Sequence, residues 1–328
     1  MKLSFLFFGN QPDEKWVLAK QMGITNAIVK LAPELTGSLP PWDFASLKKS
    51  KETFELNGLK LIGFEGDQFD MIRIKLGLEG YEEDIEKYIL MLENMGKLGI
   101  GLLCYNFMAT GWFRTNKNLE ERAGALVSGF SSLEADKLPL TKYGTVAADK
   151  IWDNYTYFLS RVLPAAEKAG VKMALHPDDP PVPVLQGIDR IFINAESIRK
   201  ALALSDSPSH GLTFCQGTYA TMGEDVKGLI HEFGNKGKIF FVHIRDVRGT
   251  ASNFRETFHD NGPTDMVDMY KAYSAIDFNG PIRSDHVPTM AGESNQQHGY
   301  EMKGNLFGIG YMKGIMDALN IKETETYI

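Results

Sequence analysis

The sequence predicts one α/β domain, a (β/α)8 TIM barrel in which eight parallel strands alternate with helices. Three observations favour this fold. The chain has 328 residues, short apolar runs recur eight times along it, and helix-like stretches separate these runs. Apolar runs with little polar alternation are typical of strands buried on both faces of a parallel sheet. Residues 1–328 are therefore expected to form a single barrel domain with one insertion.

The eight predicted strands are bounded by Gly, Pro or Asp. They are 3–9, 26–31, 59–66, 99–108, 171–177, 211–217, 238–246 and 280–288. The alternative fold is an open, doubly wound sheet. Its phosphate-binding signature GxGxxG is absent after the first strand, where residues 9–14 read GNQPDE.

Apolar residues recur at helical spacing between the predicted strands. Residues 81–99 combine this spacing with acids in the first turns and a glycine at the end. Residues 154–170 also end in glycine, and Pro164 within them predicts a kink. Residues 196–204 and 224–234 complete the alternation of strand and helix.

One connection is too long for an ordinary loop. Residues 109–150 follow the fourth predicted strand, where most barrels have only a short turn before the helix. An insertion at this end of a barrel strand lies over the active-site mouth. We expect residues 109–150 to form a lid or an oligomer contact.

Composition excludes several classes of protein. The net charge of −7 argues against nucleic acid or an anionic membrane as a partner. No apolar stretch approaches the length of a membrane span, and the opening MKLSFLFFGN is expected to be a strand rather than a signal peptide. The two cysteines, Cys104 and Cys215, suit a reducing cytoplasm rather than a disulfide scaffold. Cys104 is expected to be a core residue.

Four residues with metal-binding side chains lie at the ends of four successive predicted strands: His176, Cys215, His243 and Asp285. Because these strand ends converge at the mouth of a barrel, we expect the four side chains to meet. Two imidazoles, a thiolate and a carboxylate suit Zn²⁺, Fe²⁺, Co²⁺, Ni²⁺ or Mn²⁺ better than Mg²⁺. Taken singly, the cysteine is a small core residue and the aspartate a turn cap.

Five short motifs are distributed over one predicted barrel. They are HPDDPP, LCYNFM, FCQGT, FVHIRDV and SDHVP. In their joint order and spacing the chain resembles the mannonate dehydratase family of xylose isomerase-like barrels, over roughly residues 60–320. The resemblance implies loss of water from D-mannonate to give 2-keto-3-deoxy-D-gluconate with a divalent metal, usually Mn²⁺. It implies the same four ligands that the strand ends indicate. A homo-oligomer, a dimer or larger, is also expected.

The resemblance further implies two catalytic residues. His286 follows the ligand aspartate, and Tyr300 lies in the downstream Gly-Tyr pair. One is expected to act as base and the other as acid, in an order that the sequence leaves open. Arg245 lies two residues after His243 and so on the same side of its strand. It is expected either to hold the substrate carboxylate or to form a structural ion pair.

Four more residues are candidates for contact with the sugar acid. Asn106 and Arg114 resemble pocket-lining positions of the family, although Asn106 could instead satisfy backbone groups. His259 matches a family histidine, with a surface loop as the alternative. Asp178, in HPDDPP, is expected to orient a histidine, to meet a substrate hydroxyl or to be solvated. The prolines of this stretch would hold His176 in place.

Three positions depart from the family pattern. Ala32 stands where the family has a histidine, Asn116 where it has an aspartate, and Val287 where it has a glycine. We therefore expect an intact metal site and a partly changed substrate pocket. Two alternatives to a dehydratase remain. One is a sugar isomerase or epimerase, against which the cysteine ligand argues, and the other is a non-catalytic barrel that binds a sugar acid.

Overall fold

The computed structural model describes residues 1–324 and contains a closed barrel of eight parallel strands. The barrel strands, first to eighth, are Lys2–Phe8, Asn26–Lys30, Lys60–Glu65, Leu102–Tyr105, Lys172–Leu175, His210–Cys215, Ile239–Ile244 and Pro281–Ser284. The first strand pairs with the second and with the eighth, which closes the barrel. Each strand overlaps one predicted run, so the predicted fold class is confirmed.

The barrel strands are buried on both faces. In the fifth strand Met173, Ala174 and Leu175 are all fully buried. This follows because one face of a barrel strand points into the barrel and the other lies under the surrounding helices. Consecutive apolar residues, rather than alternating ones, are what such a strand requires.

Helices surround the barrel. They are Glu14–Gln21, Pro33–Thr36, Phe44–Leu56, Ile72–Leu76, Tyr81–Lys97, Ser132–Ala135, Ala148–Ala169, Ala195–Leu202, Gln216–Met222, Val226–Asn235, Met266–Ala275 and Met302–Ala318, with a 3-10 turn at Arg122–Gly124. The helix Ala148–Ala169 begins earlier than the predicted 154–170 and continues past Pro164 as one helix. No helix within residues 1–324 is both long enough and apolar enough to cross a bilayer.

The insertion forms half of a second, antiparallel sheet. Its strands Asn116–Glu120 and Leu126–Ser131 pair with each other. The second of them also pairs with the hairpin Val247–Thr250 and Asn253–Glu256, which follows the seventh barrel strand. A separate short hairpin joins Val184–Leu185 to Ile188–Asp189. The long insertion was predicted, whereas the hairpin after the seventh strand and the sheet that they share were not.

Candidate active site

The four predicted metal ligands lie together at the mouth of the barrel. The ligand atoms of His176, Cys215 and His243 are all within 4.8 Å of one another. Asp285 Oδ2 lies 3.7 Å from Cys215 Sγ and 3.8 Å from His243 Nδ1. These residues lie within one residue of the ends of the fifth to eighth barrel strands. The parallel order of the strands is what brings residues so far apart in sequence to one place.

His243 provides the observation that favours a bound cation. Both of its ring nitrogens are buried, and neither makes a hydrogen bond of acceptable geometry in the described part of the chain, although carboxylate oxygens lie 3.4 Å from Nε2 and 3.8 Å from Nδ1. A buried polar atom without a partner costs about 1–3 kcal/mol. A bound ion is one explanation for such a histidine, and the neighbouring thiolate and carboxylate favour it. The residues of this site therefore fit a divalent cation.

Cys215 lies among positive and hydrogen-bond-donating groups. Arg245 Nε is 3.4 Å from its sulfur, and Thr218 Oγ1 donates to the same sulfur at 3.1 Å. Burial alone would raise the pKa of the thiol, but Arg245 and His176 lower it well below its ordinary value. Burial alone would also lower the pKa of His176, but Cys215 raises it to about 9. The thiolate is the form that binds metals, so the sulfur is prepared for this role.

Arg283 and Glu65 support two of the predicted ligands. Arg283 donates to Asp285 Oδ1 at 2.9 Å and, through Nε, to Glu65 Oε2 at 2.8 Å. Glu65 Oε2 is also 3.4 Å from His243 Nε2. Burial alone would raise the pKa of Glu65, but Arg283 and His243 lower it to about 2. Arg283 had no predicted role, although its spacing of two residues from Asp285 places both on one side of the strand.

The predicted catalytic pair is also assembled at the mouth. His286 Nε2 and the Tyr300 hydroxyl lie 3.0 Å apart. The Val287 amide donates to the Gly299 carbonyl at 2.9 Å, which holds the tyrosine segment beside the histidine. His286 Nε2 is 3.6 Å from Asp285 Oδ1, so the pair adjoins the metal candidates.

Arg245 is fully buried, and every nitrogen of its guanidinium group contacts a protein group. One terminal nitrogen donates to both oxygens of Glu256 at 2.9 and 2.8 Å. The other donates to Asp179 Oδ2 and Thr218 Oγ1, each at 2.8 Å. Its Nε lies 3.0 Å from Asp285 Oδ2. These contacts correspond to the structural ion pair, which was the predicted alternative to binding of the substrate carboxylate.

Arg114 comes from the insertion and joins the same set of charges. It donates to the two oxygens of Asp179 at 2.7 and 2.8 Å and to Glu256 Oε1 at 2.6 Å. Its guanidinium carbon lies 4.7 Å from the ring centre of Trp112. Arg114 therefore reaches the mouth, as a pocket-lining residue must, but its charge is compensated by protein carboxylates.

A second group of possible metal donors consists of Asp179, Glu256 and His286, whose ligand atoms also lie within 4.8 Å of one another. Arg114 and Arg245 already neutralise both carboxylates. Burial alone would raise the pKa of Glu256, but the two arginines lower it to about 2. Since the arginines supply the positive charge, this group has no need of a cation.

Two other predicted substrate contacts are engaged by the protein. Asn106 Oδ1 accepts from Lys75 Nζ at 2.9 Å. Asp178 Oδ2 accepts from the backbone amides of residues 191 and 192, each at 2.9 Å. Asp178 Oδ1 is buried and has no hydrogen-bond partner within residues 1–324. One carboxylate oxygen of Asp178 therefore lacks a hydrogen-bond partner among these residues, whereas the side chain of Asn106 is hydrogen-bonded to neighbouring protein groups.

His259 lies between the eighth barrel strand and the last helix. Its Nε2 is 3.1 Å from Ser284 Oγ. A Cβ atom added at Gly308 would meet the imidazole at 2.9 Å, which shows how closely ring and helix pack. Burial lowers the pKa of His259 to about 4. The residue is therefore buried in the fold rather than exposed in a surface loop.

Two residues had no predicted part in the site. Glu256 lies in the polar hairpin, and its Oε1 is 3.1 Å from His286 Nδ1. Cys104 is buried, as expected, but its sulfur also lies within 4.8 Å of ligand atoms of Glu65 and His243. The sequence indicated neither contact, because Glu256 lies in a hairpin that was not predicted and Cys104 lies inside an apolar run.

The three departures from the family pattern have different surroundings. Ala32 is buried and has a φ of 36°, in the left-handed region that residues with a side chain rarely adopt. Asn116 is exposed at the start of an insertion strand. Val287 is buried, and its Cβ lies 2.8 Å from where a Cβ would stand at Gly304.

Comparison with known proteins gives consistent matches over the whole chain. The family model for D-mannonate dehydratase (UxuA) matches residues 1–138 and 128–326. Mannonate dehydratase 2 of Halalkalibacterium halodurans is 33% identical over 98% of this chain and 100% of its own length. Mannonate dehydratase of Thermotoga maritima is 32% identical over 98% of both chains.

A solved structure resembles the whole molecule. The crystal structure of mannonate dehydratase from Streptococcus suis serotype 2 superposes with a TM-score of 0.89 at 27% identity. The match covers 100% of this chain and 99% of that one, so the insertion and the second sheet fall within the matched region.

Proposed function

This chain belongs to the D-mannonate dehydratase family of hydro-lyases, and from that premise we propose how its residues share the reaction. The enzyme removes water from D-mannonate to give 2-keto-3-deoxy-D-gluconate. Family membership favours this function over a sugar isomerase, an epimerase or a non-catalytic barrel. The observation that carries the assignment of residues is the meeting of four metal-type ligands with the His286–Tyr300 pair.

His176, Cys215, His243 and Asp285 would hold the divalent cation on which the family depends. We infer Mn²⁺ from the family resemblance, and the same donors are compatible with Fe²⁺, Co²⁺, Ni²⁺ or Zn²⁺. The chemistry that a bound cation supplies is stabilisation of the negative charge that develops on the substrate carboxylate when the C2 proton leaves. The ring nitrogens of His243, which are buried without a hydrogen bond among the described residues, support this use of the site.

The proton transfers fall to the protein. One group must take the proton from C2, and another must protonate the departing hydroxyl on C3. His286 Nε2 and the Tyr300 hydroxyl, 3.0 Å apart, are close enough to reach atoms on adjacent carbons. We assign these two residues to the two transfers.

The remaining predicted residues are proposed as supports and contacts for the sugar acid. They are Arg245, Asn106, Arg114, Asp178 and His259. Asp178 is the first of these to mutate, because its Oδ1 is buried without a partner among the described residues. We also propose a cytoplasmic enzyme that forms a homo-oligomer, with residues 109–150 as lid or subunit contact.

The test is an assay of metal-reconstituted protein on a panel of aldonic acids, with detection of 2-keto-3-deoxy acids. Cys215→Ser and His286→Asn are the control variants. Product from D-mannonate that is lost in both variants is the expected result. Product from a different aldonate, with none from D-mannonate, would support the dehydratase reaction but assign another substrate, which the change at Ala32 would allow. No product from any acid despite bound metal would contradict the proposal.

A further inference from the structure

We propose that Glu256 fixes the tautomer and the ring orientation of His286, so that the neutral ring carries its proton on Nδ1 and presents Nε2 to Tyr300. Glu256 is then a positioning residue that acts through His286. The importance of this role for catalysis rests on the proposed function. The contacts between Glu256 and His286 are independent of it.

The two nitrogens of His286 have different partners. Nδ1 lies 3.1 Å from Glu256 Oε1, and Nε2 lies 3.0 Å from the Tyr300 hydroxyl. An ionised carboxylate can only accept a hydrogen bond, whereas a tyrosine hydroxyl can donate one. The bond to Glu256 therefore needs the proton on Nδ1. In the neutral ring Nε2 is then free to accept from Tyr300.

The contacts of Glu256 keep it ionised and immobile. Besides His286, Oε1 receives Arg114 at 2.6 Å and Arg245 at 2.9 Å, and Oε2 receives Arg245 at 2.8 Å. The carboxylate is buried between two guanidinium groups, which favour its charged form. Asp179 balances the second positive charge, because it contacts the same two arginines.

The imidazole itself has little room to turn. Its centre lies 4.9 Å from the ring of Trp112 and 5.3 Å from the ring of Tyr300, which it meets edge-on. Glu256 is the last residue of its strand and pairs with Val247 in the hairpin. The second sheet thus has a function in the site, because it delivers the carboxylate that orients the histidine.

Glu256→Gln is the informative variant, and Asp179→Asn is its matched control. Both replace a buried carboxylate that faces Arg114 and Arg245, but of these two carboxylates only Glu256 hydrogen-bonds to His286. The glutamine amide can donate as well as accept, so it no longer requires a proton on Nδ1. We expect the tautomer of His286 to change in E256Q and to persist in D179N.

The tautomer is read from ¹⁵N–¹H correlation spectra of histidine-labelled, Zn²⁺-loaded protein, with His286→Asn to identify the signals. Wild type is expected to show a protonated Nδ1 and a hydrogen-bond-accepting Nε2. E256Q is expected to show the reverse tautomer or a mixture. Its kcat on D-mannonate should fall at least about 10-fold, since acid–base catalysis contributes about 10²–10⁴-fold. KM and bound metal should change little.

Two results would overturn the proposal. One is the finding that His286 of the wild-type protein carries its proton on Nε2. This measurement does not depend on the folding of any variant. The other is a folded E256Q protein whose His286 signals match those of wild type. Wild-type protein that shows the expected tautomer but dehydrates no aldonate would contradict the proposed function and leave the role of Glu256 standing.

Discussion

At the scale of single residues, the chemistry of Cys215 is set by its neighbours. Arg245 and His176 favour its thiolate, which is the metal-binding form. A serine at this position would remain a neutral hydroxyl. We predict that Cys215→Ser weakens Mn²⁺ binding by at least about 10- to 100-fold, the cost found when residues around a metal site are altered. Titration calorimetry on the metal-stripped protein measures this affinity.

Cys104 provides the matched control, because it is the other buried, unpaired cysteine. Its sulfur lies near Glu65 and His243, in a separate group of possible donors that shares only His243 with the predicted ligands. Cys104→Ser should lower stability and leave Mn²⁺ affinity near the wild-type value. If Cys104→Ser loses the metal and Cys215→Ser keeps it, the cation binds in the alternative group.

His259 predicts a pH dependence of stability. Burial lowers its pKa from 6.5 to about 4 in the fold, so the folded protein holds the neutral ring. Between these values the unfolded chain binds the extra proton, and stability falls as the pH decreases from 6.5 toward 4. We predict that His259→Gln removes roughly 2 kcal/mol of the stability difference between about pH 7 and pH 5. Urea unfolding at both pH values measures it, and an unchanged difference would contradict it.

At the scale of elements, the barrel strands were predictable and the second sheet was not. A strand such as Lys172–Leu175 is buried on both faces and so forms a continuous apolar run. Asn116–Glu120 is largely exposed and polar, and the hairpin 247–256 has only a few apolar residues. Their pairing depends on contacts between segments more than a hundred residues apart, which local patterns do not contain.

The close approach of the third and fourth barrel strands depends on a glycine. A Cβ at Gly63 would lie 2.8 Å from the Leu102 side chain and 2.9 Å from its carbonyl oxygen. Gly63→Ala is predicted to cost about 1–3 kcal/mol through overpacking. Gly101→Ala is the control, because nothing lies within 4 Å of its Cβ position. Equal unfolding free energies for the two variants would contradict this account of the barrel wall.

At the scale of the whole molecule, Arg114 joins the insertion to the barrel. It is buried against Asp179 and Glu256. Removal of one partner from a buried ion network typically costs about 3–5 kcal/mol, so Arg114→Ala should be strongly destabilising. Arg122→Ala is the control from the same insertion, because Arg122 and Asp260 are exposed and such pairs contribute about 1 kcal/mol or less. Urea unfolding compares them, and similar losses would contradict a structural role for the network.

The site residues that could be predicted from the sequence are those at the ends of successive barrel strands. The four predicted ligands and His286 lie at or just after strand ends, and the barrel topology brings them together. Arg283 contacts Asp285 and Glu65, and Glu256, which the second sheet supplies, contacts His286. Such supports are single charged residues in ordinary polar or strand positions. Their role can be recognised only from the residues that they contact in the folded protein.

The measurement that tests the central claim most directly is the formation of 2-keto-3-deoxy-D-gluconate from D-mannonate. Protein stripped of metal by a chelator is compared with the same protein reloaded with Mn²⁺. The account predicts no product from the stripped protein and steady turnover after reloading. Absence of product from the reloaded protein, with Mn²⁺ bound in equal amount to protein, would contradict it.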